Sequence, residues 1–119
     1  MKTSLVLGSL VFCGLLGAQY RSPVDRAPES ARAMSNPYDQ REQAVRAGEK
    51  LYRQQCASCH GQRQEGARKT PPLNQPRIRN APPGALFWVL RNGSIYRGMP
   101  SFAHLPEPQR WQIVTYLRR

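Results

Sequence analysis

The apolar positions of this chain change rhythm from one stretch to the next. Residues 4–18, SLVLGSLVFCGLLGA, are almost continuously apolar. Residues 19–38, QYRSPVDRAPESARAMSNPY, show no apolar period and are rich in Pro, Ser, Ala and Arg, a composition that predicts a flexible tether. A helical period then begins. Val45, Gly48 and Tyr52 fall on one face, with Ala44 and Leu51 beside them, so a helix is expected over 40–54 with Asp39 as its N-cap. Gly48 lowers helix propensity by about 1 kcal/mol relative to alanine. Its place on the apolar face points to a close crossing by another helix.

The second half alternates in the same way between loop and helix. Residues 61–83, GQRQEGARKTPPLNQPRIRNAPP, are punctuated by glycine and proline and read as loop. GALFWVLRNG (84–93) reads as a short helix stopped at Asn92-Gly93. A further loop, SIYRGMPSFAHL (94–105), leads to a last helix from about Pro106, where Pro108 suits the first turn. There Trp111, Val114 and Leu117 form a stripe backed by Ile113 and Tyr116. No stretch alternates with a strand period and none repeats. The expected fold is all-α: about three helices joined by long loops.

Chain length sharpens that picture. In 119 residues there is room for one small domain, divided here into 1–18, 19–38 and a folded unit over 39–119. The apolar run after Lys2 is short for a membrane span but suits an export signal cleaved after Gly17-Ala18. An uncleaved anchor and a lipid on Cys13 remain open as rivals. Each of the three places the rest of the chain outside the cytoplasm, in the periplasm or on the outer face of the cytoplasmic membrane. Lys and Arg total 18 against 7 Asp and Glu. Export and the lack of aromatics interleaved with the arginines argue against a nucleic acid, leaving an acidic protein partner or an anionic membrane surface.

About 80 ordered residues with so few apolar positions make a poor core, and such domains are usually completed by disulfides, a metal or a bound cofactor. The candidate chemistry is QQCASCHGQ at 54–62, with Cys56, Cys59 and His60 in C-x-x-C-H spacing. That spacing is the attachment signature of c-type haem. Two thiols bond the two vinyl groups, and the next residue offers an imidazole to the iron. Competing readings are a zinc site, which would need His104 as its fourth ligand, a thioredoxin-like redox pair, which lacks its βαβ context, and a plain disulfide.

Residues 40–119 resemble class I cytochrome c. AGEKLYRQQCASCHG is similar to that family's first helix running into its haem turn, RGMPSF to its distal methionine loop, and RWQIVTYLRR to its last helix. The resemblance implies a small cytochrome c fold wrapped around one covalently bound haem, with Gly48 and Tyr52 crossing Val114 and Leu117. It implies His60 and Met99 as iron ligands, with His104 as the alternative to Met99. It also implies Pro72 as the acceptor for the His60 Nδ1 hydrogen, with Pro71 beside it as a substitute. The function implied is that of an electron carrier between a redox donor and acceptor of a respiratory or dehydrogenase chain, not a catalyst. Arg63, Arg68, Lys69, Arg77, Arg79, Arg91 and Arg97 would surround the haem edge and meet an acidic docking face. Arg77, Arg79 and Arg91 are also candidates to pair with a haem propionate. Leu73, Phe87, Trp88 and Tyr96 are candidate pocket lining, and Trp111 is either core or a propionate contact.

Overall fold

A computed structural model describes residues 21–119; the expected export signal, including Cys13, lies outside the described residues. The chain forms α1 (Glu29–Arg32), α2 (Glu42–Gln55), α3 (Ala57–His60), α4 (Pro76–Arg79), α5 (Pro83–Asn92) and α6 (Glu107–Leu117), with 3-10 turns at Pro23–Arg26 and Ile95–Arg97. Among the described residues there is no strand, only isolated bridge pairs at Ala67 with Thr70 and Ser94 with Met99. The three longer helices are those the apolar rhythm predicts, and the others are single turns.

α2 and α6 make the most extensive contact between elements. α2 buries Ala44, Val45, Gly48 and Tyr52, one face at helical spacing. α6 buries residues on several sides, including Trp111, Ile113, Val114, Thr115 and Leu117, because α5 covers it as well. Gly48 sits where the helices cross. A Cβ there would lie 1.9 Å from the Gln112 carbonyl oxygen, so only glycine lets the two backbones approach this closely.

The start of α2 differs from expectation. Asp39 does not cap it; Arg41 holds the N-cap position and makes no side-chain cap bond. Gln40 takes a left-handed backbone conformation, φ 58°, and the Asp39 carboxylate accepts from Arg118, just past the end of α6, at 3.3 Å instead.

Residues 21–38 depart further. The expected tether is folded onto the domain, packed on α5 through the 3-10 turn and α1. Ala27 and Ala31 are buried, and Asn36 donates to Thr115 Oγ1 at 2.9 Å in a buried hydrogen bond. Ala31 approaches α5 where Gly84 has no side chain; a Cβ on Gly84 would fall 1.8 Å from the Ala31 carbonyl oxygen. At the other end, Ser22 caps the 3-10 turn in a reciprocal capping box with Asp25, and Asp25 pairs with Arg77 of α4. The fully buried positions are small or polar, and Val24 and Tyr38, which also pack on the core, stand too far apart to make an apolar period.

Candidate haem site

Cys56 ends α2, and the chain re-enters a helical turn at once as α3, with Cys56 at its N-cap and Cys59 and His60 as its last two positions. The junction is held by backbone bonds to the Cys56 carbonyl from Cys59 at 3.2 Å and His60 at 2.9 Å. Both cysteines are free thiols, Cys56 buried and Cys59 exposed. Burial first, and then the neighbouring Cys59, pushes the Cys56 thiol up to about 11. A redox-active pair needs the opposite shift.

His60 is placed by both its backbone and its ring. Its Nδ1 donates to the Pro71 carbonyl at 2.9 Å. The acceptor is therefore Pro71 and not Pro72, because the turn that brings the loop back under the imidazole presents the earlier carbonyl. That turn is closed by Gly66 N–H to the His60 carbonyl at 2.7 Å and by Leu73 N–H to the Gln64 carbonyl at 2.8 Å. With Nδ1 committed, Nε2 is the nitrogen left for a metal.

Met99 lies on a loop pinched at its base. Ser94 N–H donates to the Met99 carbonyl at 2.9 Å, and Met99 N–H returns the bond at 3.2 Å. Two glycines make the pinch. Gly93 ends α5 at φ 69°, and a Cβ there would meet the Pro100 backbone at 2.6 Å; Gly98 takes the left-handed conformation at φ 81°. Met99 packs against the apolar cluster that also contains Cys56, Ala57, Leu86, Leu90 and Phe102. His104 is exposed, near the Phe102 ring.

The residues present suit a haem better than a bare ion. Among the described residues, no group of three His, Cys, Asp or Glu side chains converges to hold a metal. Two thiols and one imidazole on a single turn, with a thioether on the same cluster, instead match what a porphyrin leaves for protein to supply.

Other side chains divide unevenly between pocket and core. Phe87 stacks on Trp111 with ring centroids 4.0 Å apart, and Arg110 lies over the Phe87 ring at 4.7 Å. Phe87 and Trp111 are thus core, with Trp111 Nε1 reaching Glu107 at 3.4 Å. Tyr96 does not line a pocket; it is fully exposed at 105 %. Arg77 is taken by Asp25 and Ser22, and Arg79 donates to the Asn74 carbonyl at 3.0 Å. Sequence reasoning missed the Tyr52 hydroxyl, which donates to the Gly61 carbonyl at 2.6 Å. A tyrosine on an apolar helix face four residues before the first cysteine was its signal.

Comparison with known proteins bears on the family and the fold. The family described as cytochrome c oxidase, cbb3-type, subunit III matches residues 43–117. Cytochrome cL from the marine methylotrophic bacterium Methylophaga aminisulfidivorans is similar at 27 % identity and a TM-score of 0.61, over 71 % of this chain and 57 % of that one. Cytochrome cL from Hyphomicrobium denitrificans shares the fold at a TM-score of 0.58 and 21 % identity, over 82 % of this chain and 66 % of that one. The chain thus spans less than two thirds of the length of either. No curated protein matches the sequence. The family match spans most of the folded unit, and the chain belongs to the cbb3-type subunit III family of c-type cytochromes.

Proposed function

We propose that this chain is an exported mono-haem cytochrome carrying single electrons between redox proteins, with Cys56 and Cys59 holding haem c and His60 and Met99 ligating its iron. The observation that carries this reading is the division of labour at His60 and Met99. One ring nitrogen of His60 is fixed on the Pro71 carbonyl at 2.9 Å, and Met99 is clamped by its own backbone on the cluster that holds Cys56. Haem, when bound, supplies a one-electron ferrous/ferric couple.

The residues do the rest. The two thiols retain the group in a compartment from which a lost cofactor would not be recovered. With His60 and Met99 both holding the iron, no position would be left open for oxygen or peroxide, and the thioether would favour the ferrous state relative to a second imidazole. Since both ligands are held by short backbone turns, little has to rearrange when an electron arrives. The family's description as an oxidase subunit supports delivery towards a terminal oxidase, with a dehydrogenase or quinol-oxidising complex as the donor class. The apolar run at 4–18 supports export to the periplasm or the outer membrane face.

The deciding experiment is the absorption spectrum of the full chain, expressed with haem-attachment machinery, oxidised, reduced and under carbon monoxide. A low-spin c-type spectrum indifferent to carbon monoxide is expected, and Met99→Ala should then bind carbon monoxide. A variant that stays closed would remove Met99 from the ligand set. The exposed basic residues Arg63, Arg68, Lys69, Arg91 and Arg97 support a docking face for an acidic partner. Converting Arg63, Arg68 and Arg91 to Glu should flatten the fall of the electron-transfer rate with salt; an unchanged slope would exclude that face.

A further inference from the structure

Tyr52 is the largest side chain with no exposed surface among the described residues, and packing alone would be served as well by phenylalanine. Its hydroxyl instead crosses from α2 to the far side of the attachment turn, donating to the Gly61 carbonyl at 2.6 Å. Gly61 is where α3 stops and the loop begins. It takes φ 87°, and a Cβ there would strike the Glu65 carboxylate at 2.3 Å. The same carbonyl receives Gln64 N–H at 3.2 Å, while the Glu65 carboxylate turns back to accept Arg63 N–H at 2.8 Å.

We infer that Tyr52 is a positioning residue for His60: by gripping the Gly61 carbonyl, its hydroxyl sets the loop carrying Pro71 against the turn carrying His60. The inference rests on the proposed haem ligation. The chain of contacts is short. From the Gly61 carbonyl, the Gln64 N–H leads to the Gln64 carbonyl, which accepts from Leu73 at 2.8 Å, and Pro71 lies just ahead of Leu73. The Pro71 carbonyl then accepts from His60 Nδ1 at 2.9 Å. A hydroxyl in the core thereby fixes the acceptor that makes the imidazole a stronger donor. Burial raises the phenol well above its ordinary value, so the group stays protonated and keeps donating.

The test uses the haem-loaded full chain with Tyr52→Phe, which keeps the ring beside Tyr116 (centroids 5.4 Å apart) and removes only the oxygen. Tyr116→Phe serves as control, deleting a hydroxyl from the other ring of that pair. Two quantities are read: solvent exchange of the His60 Nδ1 proton by NMR of the ferrous form, and the reduction potential. Exchange in Tyr52→Phe should quicken by about fivefold, the factor one net hydrogen bond is worth. The potential should rise, since a less basic imidazole stabilises ferric iron less. Tyr116→Phe should change neither. Unaltered exchange and potential in Tyr52→Phe, or equal shifts in both variants, would overturn the inference while leaving the haem reading intact. If the wild-type chain acquires no covalent haem, both fall. Should Tyr52→Phe not accumulate, the wild-type protein decides: a slowly exchanging Tyr52 hydroxyl proton close in space to Gly61 is expected, and its absence overturns the assignment.

Discussion

Two glycines in this molecule admit a neighbouring backbone, one between long helices and one under a short N-terminal strap. Gly48 lets α6 cross α2, with Gln112 oxygen 1.9 Å from where a Cβ would be; Gly84 lets Ala31 cross α5 at 1.8 Å. The local geometry is nearly the same. What differs is how much can move away. α2 is buried along one face against α6, and α6 is buried on several sides between α2 and α5. The strap is held by Ala27, Ala31, the partly buried Val24 and Tyr38, one buried hydrogen bond to Thr115 and an exposed ion pair at Asp25. A close approach is therefore rigid or releasable according to what stands behind it, not according to the distance.

That difference predicts unequal costs. Gly48→Ala has to part the two main helices and should lower unfolding stability by ~3 kcal/mol, read from denaturant curves of the haem-loaded protein. A loss under ~1 kcal/mol would mean the crossing is pliable and the contrast is false. Gly84→Ala can be relieved by lifting the strap, so its cost is capped by what the strap contributes, about 1–2 kcal/mol if each anchoring polar contact is worth ~1 kcal/mol. Proteolysis within 22–38 should accelerate in that variant. In a chain beginning at Asp39 the same substitution should turn neutral or stabilising, because only the helix preference for alanine, up to ~1 kcal/mol, then remains. Equal destabilisation with and without the strap would show that the clash is not with Ala31.

The smallest effect is that of pH. The Ser22 hydroxyl, and behind it the Arg77 charge, holds the Asp25 carboxyl below its ordinary 3.8. A lowered folded value stabilises the docked strap above 3.8, and that contribution fades as pH falls through 3.8 towards the folded value. Strap protection measured by amide exchange should hold from neutral pH down to about 4 and weaken below it; Asp25→Asn should remove the pH dependence. The site is exposed and salt-screened, so global stability should barely register the change.

The same contrast explains what could be read from residues alone. Val45, Gly48 and Tyr52 recur at helical spacing, so the crossing and its glycine were legible. So was the haem turn, because C-x-x-C-H is chemistry written in consecutive residues. The loop that carries Met99 was legible as loop through its Gly98 and Pro100 neighbours. The strap was not: its buried groups, Ala27, Ala31 and Asn36, are small or polar and keep no period, and proline and serine around them carry the composition of disorder. Asp39 misled for a related reason, since a good capping residue lost to a tertiary partner, Arg118. Pro71 against Pro72 turned on one residue of loop register, which adjacent prolines do not reveal.

The crossing at Gly48 and Gln112 also bears on how such a chain can change over time. It clamps the first and last long helices together, so that the haem turn, the proline-rich loop and the methionine loop all hang between fixed points. The entropy of closing a loop grows only with the logarithm of its length, about 0.6 kcal/mol for each doubling. Insertions between His60 and Pro83, or after Gly93, therefore cost the fold little as long as the two pinches at His60 and Met99 survive. Length in this architecture is a nearly neutral variable, and the surface around the cofactor can be rebuilt for new partners without touching the helices that carry it.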